Sequence, residues 1–242
     1  MDAIIIKNLS KRYRDTRAVD GLNLTVRAGE LFSLLGVNGA GKTTTIKMLA
    51  CLAKPTSGDA WLNGKSITEE TAGVKALIGV SPQETAVAPN LTVRENLELI
   101  CGVHGFSGDK RQVKVTEMLE RFDLSDIAGK KAVKLSGGWQ RRLSIAMALI
   151  SEPEILFLDE PTLGLDVIAR RELWDVIHAL KGKITIILTT HYMEEAEKLS
   201  DRIGIMKNGN LLAIGTVEEL NQKADSDDFE NTFVFLMKEA EA

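Results

Sequence analysis

Five nearly continuous apolar residues, "LFSLL" (31–35), run straight into "GVNGAGKTT" (36–44). The first stretch reads as a strand buried on both faces. Behind the glycines, Ile46, Leu49, Ala50 and Ala53 recur at helical spacing and stop before Pro55. Gly36, Gly41, Lys42 and Thr43 fit the pattern G-x-x-x-x-G-K-[ST]. A strand, a glycine loop and a helix in that order make a phosphate cradle. The glycines let backbone N–H groups wrap an anion at a helix start, and Lys42 adds a point charge toward the β and γ phosphates. The Thr43 hydroxyl can ligate Mg2+.

The other buried-strand runs are "LIGV" (77–80), "ILFLD" (155–159) and "ITIILTT" (184–190), while "LNLTV" (22–26) alternates like a strand with one wet face. "RIGIM" and "NLLAIG" flank "KNG", whose Asn208-Gly209 step suits a tight hairpin turn. Between Pro82 and Ser151 helical patterns replace the strand signal: "TVRENLELICGVHG", "DKRQVKVTEMLERFDL" and "WQRRLSIAMALI". A mostly helical insertion, about residues 84–151, therefore interrupts an α/β core with a largely parallel sheet. The acidic tail from Val217 carries one apolar patch, "FVFLM", expected to dock on the body.

Chemistry gathers at the ends of the buried strands, where open α/β sheets bind ligands. "ILFLDEPT" sets Asp159 there, suited to Mg2+ through a water, and Glu160 one step on, placed to polarise a water aimed at a γ-phosphate. His191 follows "ITIILTT" and is expected at the same edge, in contact with that phosphate. His104 and His178 read as structural or solvated. A second glycine turn, "LSGGWQRR" (135–142), also opens a helix, although one loop suffices to hold a nucleotide.

Composition removes several classes. The 242 residues are 44% hydrophobic and 26% charged, enough for a real core in one large domain or two small ones. Thirty basic against 34 acidic residues argue against a sequence-independent nucleic-acid binder, so none is expected as partner. Cys51 and Cys101 lack ligand spacing and read as thiols in a reducing compartment. "MDAIIIKNLS" is no secretory signal, and no stretch nears the roughly 18 apolar residues that span a bilayer. A soluble, cytosolic chain is the expectation.

Taken in order, these motifs resemble the nucleotide-binding subunit of an ATP-binding cassette (ABC) transporter over nearly the whole chain. They are "GVNGAGKTT", the Q-loop "VSPQE" with Gln83, the signature "LSGGWQRR", the strand "ILFLDEPT", the D-loop "LGLD" with Asp166, and the switch "TTHYMEEAE". The resemblance implies a P-loop NTPase (RecA-like) core, an N-terminal antiparallel β subdomain and an inserted α-helical subdomain, as one nucleotide-binding domain over 1–242. It implies ATP held by Gly36, Asn38, Gly39, Ala40, Gly41, Lys42, Thr43 and Thr44, with Tyr13 stacked on adenine. Thr43, Gln83 and Asp159 would hold Mg2+, and Glu160, His191 and Gln83 would serve hydrolysis.

One nucleotide has one γ-phosphate, yet the chain offers two anion-binding helix starts. A two-fold dimer resolves this: Ser136, Gly137, Gly138 and Gln140 of one copy cover the nucleotide held by the other, with Asp166 beside them. The family uses this head-to-tail arrangement, as a homodimer or with a homologous cassette subunit. "LTVRENLELICGVHG", "THYMEEAEKLSDRIGIMKNGNLLAIGT" and "DDFENTFVFL" look like the subgroup serving ABC-2 type membrane subunits, often exporters. The implied place is the cytoplasmic face of the membrane, with the partner contact on the helical lobe and Gln83. The alternative is a soluble ABC ATPase acting on ribosomes, DNA or cofactor assembly. Val37 stands where the family commonly has proline, and Trp139 where it has a smaller or polar residue.

Overall fold

The computed structural model describes residues 1–239, so the last three residues of the acidic tail lie outside the described part. The chain opens with two long antiparallel strands, β1 (Asp2–Tyr13) and β2 (Thr16–Arg27), and then β3 (Leu31–Leu35), α1 (Lys42–Leu49), β4 (Ser57–Leu62) and β5 (Lys65–Ser66). Next come α2 (Thr71–Leu77), β6 (Ile78–Ser81), α3 (Val93–Val103), α4 (Gly108–Arg121) and α5 (Gly137–Leu149). Strand and helix then alternate through β7 (Ile155–Asp159), α6 (Val167–His178), β8 (Thr185–Thr190) and α7 (Met193–Leu199). The chain closes on β9 (Arg202–Lys207), β10 (Asn210–Gly215), α8 (Val217–Lys223) and α9 (Phe229–Glu239).

Two sheets carry the architecture. One is antiparallel, in the order β2-β1-β4-β5; the other runs β10-β9-β3-β8-β7-β6, parallel throughout except for β10. Every residue of β3, β7 and β8 is buried, as continuous apolar runs require in a sheet covered on both faces. Register aligns the strand ends: Leu35 pairs with Thr190, Asp159 with Thr189 and Ser81 with Leu158. The residues that follow, Gly36, Pro82, Glu160 and His191, therefore emerge along one edge. In β2, Leu22, Leu24 and Val26 point into the core while Asn23 and Thr25 are exposed, as alternation demands.

Helices α3 to α5 fill the stretch without strands. Thr92 and Glu95 cap α3 reciprocally: the Thr92 hydroxyl accepts from Glu95 N–H at 3.2 Å, and the Glu95 carboxylate accepts from Thr92 N–H at 2.7 Å. Their core is continuous with one face of the parallel sheet, since Leu97, Phe122 and Leu143 pack in one cluster with Leu156, Leu158 and Ile186. The sequence reading runs α1 to Ala53, yet the helix ends at Leu49. Cys51 turns left-handed (φ 55°), and the N–H groups of Leu52 and Ala53 fold back onto the Lys47 carbonyl. The Asn208-Gly209 turn has both residues at positive φ, 48° and 81°, the geometry that twists a two-residue hairpin correctly. In α9, Phe229 and Leu236 pack with Leu35, Ile203 and Ile205, whereas Val234 and Phe235 of the apolar patch face outward.

Candidate functional site

Backbone crowding dictates glycine at two points of the loop after β3. A Cβ on Gly36 would sit 2.3 Å from the Met206 carbonyl oxygen, and one on Gly41 would sit 2.4 Å from that of Ala18. Gly41 also has φ 106° where it leads into α1, a conformation that side chains rarely tolerate. The loop borders a cavity of about 490 Å³. Asn38, Gly39, Ala40, Gly41, Lys42, Thr43 and Thr44 line it, facing Gln83, Glu160 and His191 from the other strand ends. Lys42 is 5% exposed, and its ammonium donates to the carbonyls of Gly36 at 2.6 Å and Val37 at 3.2 Å.

The carboxylates meet this loop directly. Asp159 Oδ1 accepts from the Thr43 hydroxyl at 3.0 Å and from the Thr189 hydroxyl at 2.5 Å. Glu160 has φ 49°, a strained backbone for a residue with a side chain. Thr189 holds it there, its carbonyl and hydroxyl both accepting from Glu160 N–H at 3.1 Å. The Glu160 carboxylate lies between two partners: Lys42 Nζ is 3.1 Å from Oε1, and His191 Nδ1 is 2.7 Å from Oε2. Because a carboxylate only accepts, Nδ1 carries the proton and Nε2 is left for a ligand. Glu160, Lys42 and His191 thus meet at the cavity.

The second glycine turn lies elsewhere. Ser136, Gly137 and Gly138, at the start of α5, do not line this cavity, and Ser136 and Gly137 are exposed. Gly138 packs closely, since a Cβ there would stand 3.1 Å from Ala169 Cβ. Gly137 differs: an added Cβ would meet only Leu165, at 3.5 Å. Gln140 turns inward, its amide donating to the carbonyls of Ala132 and Leu135 at 3.2 Å each. Asp166 caps α6 by accepting from the N–H groups of Ile168 and Ala169. Tyr13 also stands outside the cavity. It ends β1 opposite Thr16, with its ring 47% exposed under the Lys11 ammonium, and Thr16, Arg17 and Ala18 line the wall instead.

The sequence pattern of the ABC transporter family matches residues 19–163, from β2 through the loop after Glu160. The chain belongs to the ABC transporter family. It is 42% identical over 226 residues to the daunorubicin resistance ATP-binding protein DrrA3 of Streptomyces coeruleorubidus, which covers 93% of this chain and 72% of that protein. Identity is also 42% over 223 residues to the probable multidrug ABC transporter ATP-binding protein YbhF of Escherichia coli K12, across 92% of this chain but only 38% of that one. The dimeric post-hydrolysis structure of the ATP-binding cassette MJ0796 with ADP and Pi superposes with a TM-score of 0.79 at 29% identity, over 88% of this chain and 98% of that one. The two-sheet α/β fold is the cassette fold, and the chain is an ATPase.

Within this cassette, Trp139 has a physical role. Its ring packs against the cluster shared by α3 to α5, and the Arg142 guanidinium lies 4.9 Å from the ring centre. Arg142 in turn bridges Asp123 at 3.1 Å and Glu172 at 2.9 Å. The indole thus anchors a guanidinium that joins the end of α4 to α6.

Sequence reasoning missed Arg141 and Glu195, two buried ionisable side chains behind the site. Arg141 is 4% exposed and reaches the loop after β6; it shares a helical face with buried Ser144 and Ile145, a signal that it needed an internal partner. Glu195, one of three glutamates in "EEAE", is fully buried, and its Oε1 accepts from Trp174 Nε1 at 3.1 Å. The Thr190 and Thr162 hydroxyls lie beside the carboxyl, yet Oε2 and the Thr162 hydroxyl find no partner in good hydrogen-bonding geometry. Desolvation raises the Glu195 pKa, the three neighbouring donors pull against it, and the Glu160 charge adds to it.

The folded state therefore holds this proton above the ordinary glutamic range, where the unfolded chain has released it. The stability that Glu195 supplies is full at low pH and declines as pH rises. Glu195→Gln, neutral at every pH, should gain melting temperature relative to the parent chain as pH rises above the ordinary glutamic range. A constant difference between the two melting curves would mean that Glu195 is ionised in the fold.

Proposed function

We propose that the chain is the ATP-hydrolysing subunit of a membrane transporter of the ABC-2 exporter type, acting as a head-to-tail dimer with two ATP molecules between the copies. One observation carries the dimer: the signature turn stands exposed and apart from the cavity of its own chain. Gly137 supports it, because the packing of its own chain would admit a Cβ there. A glycine that the fold does not need fits a phosphate brought by a second copy.

The roles follow from position. Loop N–H groups and Lys42 take the β and γ phosphates, and the Thr43 and Asp159 oxygens, 3.0 Å apart, suit Mg2+ with Gln83 across the cavity. No group of three or more His, Cys, Asp or Glu that could hold a metal occurs among the described residues. An ion there would be held by one or two protein oxygens, with phosphate oxygens and water completing its shell. It would supply positive charge against the β and γ phosphates. Glu160 orients a water and accepts its proton as the water oxygen bonds to γ-phosphorus and the bond to the β-bridging oxygen breaks. His191 holds the Glu160 carboxylate from one side and presents Nε2 to the γ-phosphate.

Names of the relatives favour an exporter, and no helix among the described residues is long and apolar enough to cross a membrane. We read the chain as working on a separate membrane partner, from the cytoplasmic face. A groove of about 200 Å³ where β6 meets α3 and α5, lined by Val80, Ile100, His104 and Met147, is the surface offered to it. Ser136→Arg tests the arrangement. ATPase activity should fall to background while ATP affinity, read by equilibrium dialysis of dilute protein, stays within about threefold of the parent. Full activity in this variant would rule out a role for the signature in trans.

A further inference from the structure

We infer that Arg141 is a positioning residue, a strut that ties the signature turn to the loop carrying Gln83 and so links the two ATP sites of a dimer. This rests on the reading in which Ser136–Gly138 meet the partner's nucleotide while Gln83 faces the chain's own.

Arg141 lies one turn into α5, close behind the signature glycines. One guanidinium nitrogen donates to the Pro82 carbonyl at 2.6 Å, and the other donates to the Gln83 carbonyl at 2.7 Å. Two arms on two consecutive carbonyls fix both the position and the orientation of that peptide, and charge-assisted bonds of this length are strong. Only a planar fork reaches both acceptors, because a lysine ammonium offers a single point of attachment. One turn further along α5, the Ser144 and Ser81 hydroxyls are 2.9 Å apart, so the helix is joined to the end of β6 twice.

Between Ser81 and Ala88, whose N–H donates to the Asn96 side chain at 2.7 Å, no helix or strand carries the chain, so Arg141 is the tie that holds the Gln83 backbone. Desolvation lowers the Arg141 pKa, and the buried Asp159 carboxylate offsets part of that cost. From Gly137 to Arg141 is about 6 Å along a helix axis, a stiff path of one turn. A shift of the signature end, when it meets the partner's nucleotide, is delivered to Gln83 at the chain's own site.

Arg141→Lys keeps the charge and removes one arm. The expected result is a kcat lower by about tenfold with the KM for ATP within about threefold, the pattern of a misplaced group rather than of lost binding. Amide hydrogen exchange over residues 83–87 should quicken, while residues 142–149 of α5 exchange as before. Gln83→Ala added to Arg141→Lys should lower kcat by no more than about twofold further, since both changes break one connection. Independent, multiplicative losses, or unchanged exchange over 83–87, would overturn the strut and leave the site reading intact. Wild-type turnover in Gln83→Ala alone would instead overturn the site reading.

Discussion

Glu160→Gln should bind ATP as tightly as the parent chain and hydrolyse it about a hundredfold to ten-thousandfold more slowly, the usual cost of losing a general base. The substitution keeps the size of the side chain and its Oε1, so the strained backbone at φ 49° and the Thr189 contacts persist. What disappears is the negative charge between Lys42 and His191. Single-turnover hydrolysis separates the steps: a slow chemical phase with normal nucleotide binding is expected. A variant with parental turnover would remove Glu160 from the chemistry and leave its two contacts as packing alone.

Lys42→Ala carries the second large effect. The residue is 5% exposed and its ammonium is held by two loop carbonyls, so the charge is fixed beside the cavity without a conformational search. Truncating one partner of a buried charge pair costs about 2–5 kcal/mol, which is about thirtyfold to several thousandfold in ATP affinity. Titration calorimetry with Mg-ATP reads this directly. Unchanged affinity, in a variant whose melting temperature shows it folded, would contradict the assignment of the loop.

The parts of the site legible in the sequence are those whose chemistry is local. A buried strand, a glycine loop and a helix are contiguous in the chain, so residues 36–44 could be read without any tertiary contact. Glu160 and His191 were legible for a related reason. Each is the first residue past a fully buried run, and parallel register brings such ends to one edge. The resemblance to a family gave the signature its meaning, and the structure then showed it standing apart from the chain's own cavity.

Other features depended on contacts that the sequence does not write down. Arg141 bonds to carbonyls 58 and 59 residues away, and carbonyls carry no sequence signature. Glu195 sits beside Glu194 and near Glu197, and only burial against Trp174 distinguishes it. The helix spacing that carried α1 to Ala53 was genuine, but a left-handed Cys51 ended the helix first. Tyr13 was placed by resemblance, and the β1–β2 hairpin leaves it on the rim with its ring turned toward Lys11. Trp139 departs from the family pattern, and the Arg142 stack that gives it a place is a contact that the sequence does not write down.

The dimer with two shared ATP sites is the central claim, and a single mass measurement tests it most directly. Light scattering of Glu160→Gln with saturating Mg-ATP should give twice the 26.5 kDa chain mass. The double variant Glu160→Gln with Ser136→Arg should stay at the single-chain mass while holding nucleotide. A doubled mass in both proteins, or a single-chain mass in Glu160→Gln with ATP bound, would contradict the claim that each copy's signature completes the other's site.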